Sequence, residues 1–433
     1  MSAVTAHTPE TGEVLKKASW KLPITFGLAT LLLLVMALKA EGDARIRLNS
    51  GAQAYRLPDW TVNAPVYLWV FLVLALAATA YSVYANIQHN KTGLELSGRT
   101  TALLSLVVGL ATVFGFLLFA GAGSSGAITL TAALGSTVAI STPLIFGSLS
   151  GVMSEHAGVV NIAIEGDLLV GAFAGILVAS YFHSAWLGLL AAPFAGAFLG
   201  CLLALISVKY GVDQIITGVV LNVLALGLTS FFSGSLMTGE GQAVFNTNKY
   251  TLHPIKIPGL AEIPVIGPAL FNQTIIVYVM YVVVVVLTIM LYRSRWGLRM
   301  RAVGEHPKAA DTVGIKVNRT RARNAILASA IAGFGGAFFT LGSGLAFTEN
   351  ISAGNGYIAL AAMILGKWHP LGALAASLMF GFATSVAQMM PNLNGAIPSS
   401  LLNMIPYVIT IIAVAGFVGK SRPPAAENIP YVK

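Results

Sequence analysis

Apolar windows of about 20 residues, the length that crosses a hydrocarbon core, recur along this chain. They predict spans near 22–38, 64–84, 101–122, 128–148, 160–182, 186–208, 214–236, 273–292, 324–345, 371–390 and 399–419. A shorter apolar piece, 357–366, sits between Gly and Pro residues and reads as a crossing or re-entrant segment. The pattern predicts an all-α polytopic membrane protein with about 11–12 transmembrane helices, some of them short or interrupted.

The polar positions divide the chain. The first three spans hold little beyond Leu, Val, Ala and Tyr, with a polar stretch, Asn86 to Gly98, between the second and third. From about Ala127 onward Gly, Ser, Thr and Asn punctuate the spans, as they do where membrane helices pack closely. Gly171-x-x-x-Gly175 and Gly196-x-x-x-Gly200 are contact patterns of that kind. The expected organisation is an N-terminal extension with three transmembrane helices (1–122), a core (123–420) and a tail (421–433). The first apolar run follows Lys16, Lys17 and Lys21 and resembles a signal peptide in outline. Its long polar leader and the spans that follow favour a retained helix.

Composition narrows the class. The chain is 56% hydrophobic and 9% charged, against about 25% charged in soluble domains, which excludes a globular enzyme on an anchor. The net charge of +9 does not imply nucleic acid, because it is concentrated in one segment. Arg293, Arg295, Arg299, Arg301, Lys308, Lys316, Arg319, Arg321 and Arg323 lie there with only Glu305 and Asp311 among them. A short basic loop between spans stays on the cytoplasmic side. Lys91, Arg99, Lys209, Lys420 and Arg422 then fall on that side, with both termini, and the Gly- and Pro-rich loop 237–272 lies outside.

Two segments carry polar groups at the mouth of a span. In Glu155 to Asp167, the carboxyls of Glu165 and Asp167 face protein or water, since a mid-helix charge costs about 2.5–3.5 kcal/mol on insertion scales. They sit either at the interface or on a broken helix lining a pathway. The second segment, Gly354 to Pro370, brackets a short apolar helix with Gly and Pro. Paired interruptions of this sort point to a transport pathway, in which Asn161, Glu165, Asn222 and Asn355 are the candidate lining residues. Cys201 is the only cysteine, so there is no disulfide, and the seven histidines are scattered, leaving no metal motif. Gly419-Lys420-Ser421 has Val414 where a phosphate loop needs Gly. The chain reads as a transport subunit and not as an enzyme, with no cofactor of its own.

Gly158-Val159-Val160-Asn161-Ile162-Ala163-Ile164-Glu165-Gly166 is similar to a signature of permease subunits in ABC importers, those of the branched-chain amino acid and simple sugar group. Arg301-Ala302-Val303-Gly304-Glu305-His306-Pro307, continued by Ala309, Ala310, Gly314 and Ile315, resembles that family's ATPase-coupling loop. Gly356 to Ala361 and Gly366 to Pro370 match a third stretch. Asp213 to Gly218, with Leu221-Asn222 and Leu224 to Thr229, resembles the nucleoside branch more than the sugar branch. The resemblance runs from about Ala127 to Gly419.

It implies a complex in the plasma membrane of a bacterium. Two permease subunits, often non-identical, would sit on two ATP-binding subunits that hold ATP and Mg, and an external lipoprotein would deliver the small-molecule substrate. A short helix around Pro307 to Val313 would dock in the ATPase, with Ala309, Ala310 and Gly314 small enough for close contact. The expected function is nucleoside import, with ribose or another simple sugar as the alternative. An ion-coupled secondary transporter is the rival from another class; Glu165 would be its one suitable embedded acid.

Overall fold

The computed structural model describes residues 20–48, 57–92, 97–124, 126–247, 249–389, 404 and 422–432. Ten helices among them are long and apolar enough to cross a membrane. The described chain is all-α, with only short strands. The expected span 399–419 lies outside the described residues.

Residues group into two units, Met1–Arg45 with Thr61–Ser125, and Ile46–Trp60 with Gly126–Lys433. The first contains α1 (Lys21–Lys39), α2 (Ala64–Thr92) and α3 (Gly98–Gly121). Phe26, Ala78 and Val108 form its buried contact, and the hydroxyls of Thr30 and Thr79 bond at 2.9 Å. Outside these contacts the three helices present Leu, Val and Trp outward, as lipid-facing surfaces do. Ile46–Trp60 falls in the second unit because Ile46 and Arg47 pair in parallel with Ile128 and Thr129, and Thr131 Oγ1 donates to the Leu48 carbonyl at 2.6 Å.

The second unit is built on α4 (Leu130–His156), α5 (Ile164–Tyr181), α6 (Ala185–Leu203, continued by a π turn, Ala204–Lys209) and α7 (Gln214–Leu236). Two short helices follow, α8 (Gly241–Phe245) and α9 (Ile266–Phe271). Then come α10 (Ile275–Arg293), α11 (Arg295–Glu305), α12 (Pro307–Thr312), α13 (Val317–Gly336), α14 (Asn355–Leu365) and α15 (Pro370–Met389). Helix α4 runs eight residues past the apolar window ending at 148. Its polar residues do not oppose burial, because Thr137, Ser141 and Thr142 each donate to a carbonyl four residues back, at 2.7, 2.6 and 2.8 Å. Around it, Ile145, Phe146, Leu149 and Met153 share a core with Val277, Met280 and Ala328.

Both small-residue patterns in α5 and α6 meet α13. Gly171 abuts Gly333, and Gly196 and Gly200 abut Ser329 and its neighbours, so tightly that a Cβ at any of the three would collide. Backbone approach of this kind supplies packing energy where apolar burial cannot, since lipid is as apolar as the helix face. Helix α13 itself begins seven residues before the expected 324, taking in Asn318, Arg319, Arg321 and Arg323. Short α14 lies along α4, where Gly147 and Gly151 leave room for Ala359 and Met363.

Candidate functional site

The turn from α4 to α5 is where the interrupted segments meet. Helix α4 ends in a Schellman arrangement: Gly158 N–H bonds the Glu155 carbonyl at 2.8 Å and Val159 N–H the Ser154 carbonyl at 3.1 Å. Gly158 has φ +81°, a conformation that glycine adopts without penalty. Asn161, fully buried, then accepts from Ala163 N–H at 3.1 Å and directs its amide to Ser150 Oγ and Asp167 Oδ2, each at 3.3 Å. Asn222 on α7 accepts from Gly166 N–H at 2.8 Å and donates to the Ile162 carbonyl at 2.9 Å and to Tyr357 Oη at 3.3 Å.

Glu165 reaches across to α14. Its Oε1 accepts from Ser352 Oγ at 2.6 Å and Gly354 N–H at 2.8 Å, and its Oε2 accepts from Gly356 N–H at 2.6 Å. A carboxylate here satisfies the orphan amides of the helix start and complements the positive end of the helix. Asn355, at that same start, donates to the Ser352 carbonyl at 2.8 Å. The structure therefore brings Asn161, Glu165 and Asn222 together at the start of α5, with Asn355 opposite them. Their hydrogen bonds tie α4, α5, α7 and α14 to one another at this junction.

The far end of α14 is held by the same α4–α5 corner. Lys367 and Trp368 have φ of 55° and 56°, a left-handed pair that costs about 1–3 kcal/mol per residue outside glycine. What stabilises it is the Trp368 indole, which is buried and donates to Glu155 Oε2. Two glutamates ten positions apart, Glu155 and Glu165, thus clasp the two ends of one short helix.

The basic segment forms three pieces. Ser294 caps α11, accepting from Gly297 N–H at 3.1 Å, and Pro307 opens α12, where its missing N–H costs nothing. Gly314 turns the chain at φ +84°, and Ile315 N–H bonds the Ala310 carbonyl at 3.0 Å. Arg301 lies over the Tyr292 ring at 5.1 Å, and Tyr292 stacks on His369 at 5.0 Å. Gly304 is buried against the His156 carbonyl and Gly158, where any side chain would collide. Glu305 is exposed and accepts from Ala425 N–H at 3.4 Å.

Ala310 departs from its expected orientation. It is 3% exposed, packed with Val303 and Val317, so its small size serves contact within this chain. The outward residues are Ala309, Thr312, Gly314 and, most exposed, Val313 at 75%. Between α11 and α13 lies a cleft of about 650 Å³ that combines exposed Leu298 and Val313 with Arg299, Lys316, Arg319 and Arg323.

Several residues of this region were given no partner from the sequence, although Asp167 was expected to face protein or water and does face protein. Asp167 is buried with Asn161 and Ser329. Asp213 caps α7, and the Ile216 amide, then Asn428, hold its carboxyl below the usual range. Burial pushes the Glu427 carboxyl up to about 7. A tryptophan near a span end and an arginine at a span start were the available signals for Trp368 and Arg321; their partners, 213 and more than 100 residues away, left none.

Residues 133–414 match the family described as the permease component of the branched-chain amino acid transport system. The chain is 39% identical over 309 residues to the guanosine ABC transporter permease protein NupQ of Bacillus subtilis, covering 69% of this chain and 95% of that one. It is 40% identical over 314 residues to the nucleoside ABC transporter permease protein NupC of Lactococcus lactis, covering 70% and 98%. A glucose ABC transporter permease protein of Haloferax volcanii is 28% identical over 299 residues, covering 66% and 77%. No solved structure matches the chain.

Proposed function

Because this chain belongs to the family of branched-chain amino acid transport system permease components, we propose that it is the multi-pass permease subunit of an ATP-driven importer whose cargo is nucleosides. The basic cleft beside α11 and α12 carries the ATP-driven half of the reading. It offers exposed apolar contacts ringed by cations, the complement of an acidic partner groove, and it sits on a helix packed directly against the α4–α5 corner. Displacement of α11 would press on His156 and Gly158, and through them on Glu155 and the clasped ends of α14. The cargo rests on the relatives named for guanosine and nucleosides, aligned over nearly their whole lengths.

In this reading ATP and Mg are held by a separate ATP-binding subunit, a second permease completes the pathway, and an external lipoprotein supplies the substrate. The basic face lies in the cytoplasm with both termini, as positive-inside bias requires, in the plasma membrane of a bacterium. Asn161, Glu165, Asn222 and Asn355 belong to the pathway wall and its gate. Half-exposed Tyr357, bonded to Asn222, presents a ring on which a flat cargo can pass. A permease of this kind gains nothing from tight binding, since a strongly held cargo leaves slowly. Simple-sugar import is the second reading, favoured by the glucose permease likeness.

The test is uptake of labelled guanosine, with unlabelled nucleosides and ribose as competitors, in cells making this chain with its second permease, its ATPase and the binding lipoprotein. Nucleosides compete and ribose does not under the proposal; competition by ribose or glucose alone would select the sugar reading.

A further inference from the structure

The tail after the last expected span touches every element of the docking region. Ala426 N–H donates to the Gly304 carbonyl at 2.8 Å and Ala425 N–H to Glu305 Oε2 at 3.4 Å, both at the end of α11. Asn428 donates to Asp213 Oδ2 and accepts from Gln214 N–H, each at 3.1 Å, at the start of α7. Gln214 in turn accepts from Val160 N–H at 2.6 Å and donates to the Gly158 carbonyl at 3.4 Å, which ties in the α4–α5 corner. Tyr431 packs beside Val303, Ala310 and Val317 and its carbonyl accepts from Asn318 at 3.4 Å.

Arg321 is the anchor of this crossing. It is 1% exposed, and its described hydrogen bonds go to the tail, Nη1 to the Ile429 carbonyl at 2.6 Å and Nη2 to the Ala426 carbonyl at 3.1 Å. A buried guanidinium without its acceptors is unfavourable, so leaving the tail in place is strongly preferred. The fork of donors also fixes the spacing of the two carbonyls, which a lysine cannot do. Gly158 makes room for it: a Cβ there would stand 2.9 Å from Nη2.

We propose that residues 422–432 are a permanent tie that makes α11, the α4–α5 corner and the starts of α7 and α13 move as one body, with Arg321 as its positioning residue. Four elements that meet through short side chains and single hydrogen bonds can slide past one another. A strand of main chain bonded to each converts a push on α11 into motion of the corner that clasps α14. The inference rests on the reading of α11 and α12 as the ATPase-docking element. It adds that docking alone does not transmit force, and that a segment beyond the family's matched region, which ends at 414, does so.

The experiment uses the complete complex of this chain with its second permease and ATPase, and measures ATPase capture, ATP hydrolysis and nucleoside uptake. Two variants are compared with the unaltered complex: a stop after Ser421, and Arg321→Met, which removes the fork without burying an unpaired charge. Both are expected to capture the ATPase and hydrolyse ATP within about twofold of the unaltered complex, while uptake per ATP falls about tenfold. A synthetic peptide of residues 422–433 should restore uptake to the truncated complex. Unchanged uptake per ATP in both variants would overturn the tie. A short bismaleimide link between Asn318→Cys and Tyr431→Cys, made in Cys201→Ser, should leave transport intact. If the link stops transport, the tail must release in each cycle and the tie is wrong. Leu298→Asp with Val313→Asp tests docking separately: retained ATPase capture there defeats the docking reading, whatever the tail variants do.

Discussion

Glu165→Gln should loosen α14 without unfolding the protein. The carboxylate accepts three hydrogen bonds, two at Oε1 from Ser352 and Gly354 and one at Oε2 from Gly356 N–H. A glutamine of the same shape keeps the first two on its carbonyl oxygen and turns its NH2 towards the Gly356 N–H. That leaves a buried donor facing a donor, at a cost of about 1–3 kcal/mol. Loss of the negative charge at the helix start removes about 0.3–1 kcal/mol more. The sum, about 1.3–4 kcal/mol, raises local opening of residues 352–365 by about 8- to 700-fold at 1.4 kcal/mol per factor of ten. Hydrogen–deuterium exchange of that peptide in the purified complex reads the change directly, and the peptides of α10 and α13, which do not carry the substitution, serve as internal controls. Transport should slow more than the range of competing nucleosides changes, because the side chain's three bonds hold the start of α14. Exchange of 352–365 that stays within about threefold of the unaltered protein would refute the assignment of Glu165 as the clasp of α14.

The other predictions concern the basic face. Leu298→Asp combined with Val313→Asp puts two acids on residues 62% and 75% exposed, so the protein should insert normally and lose capture of its ATPase in pull-down. By contrast, Ala310→Asp buries a charge between Val303 and Val317 and should lower the melting temperature of the purified protein before docking is tested at all. Replacing Gly304 by Val should have a similar effect on melting through collision with the His156 carbonyl. The tail should bind less firmly as pH rises: burial raises Glu427 to about 7 from 4.5, so the docked tail holds more protons than the free one between those values. Its docking is therefore strongest below the lower value and weakens through the upper one. The acid facing this carboxyl is Glu155, which accepts from the Trp368 indole. Exchange of 424–431, corrected for intrinsic rate, should be faster at pH 8 than at pH 6, and Glu427→Gln should abolish the difference.

What was legible in the sequence, and what was not, follows the range of the interactions. Ten spans could be read because a helix facing lipid announces itself in a local window; Ile275–Arg293 and Gln214–Leu236 differ from their expected bounds by two residues or fewer. Helix α13 began earlier than expected because Arg321, which looked like loop, is buried by carbonyls more than 100 residues downstream. The Glu165 segment was visible as polar residues at a span mouth, with interface and broken helix both open; the structure puts the break at Gly158, where α4 ends. The Glu165 partner Ser352, 187 residues away, was not visible, since no local pattern encodes which helix start a carboxylate will cap. Ala310 shows the same limit from another side. Small size signals close packing, but the identity of the packed surface, here Val303 and Val317 of this chain, is a tertiary fact.

The central claim, that this chain moves nucleosides by coupling to ATP hydrolysis on a partner, is tested most directly by uptake under dissipated ion gradients. Vesicles containing the chain, its second permease and its ATPase, with the binding protein and labelled guanosine outside and ATP and Mg inside, would be treated with a protonophore. The account predicts that uptake continues at its untreated rate and stops when a non-hydrolysable ATP analogue replaces ATP. Uptake that collapses with the proton gradient while ATP is held constant, or that proceeds unchanged with the analogue, would contradict it.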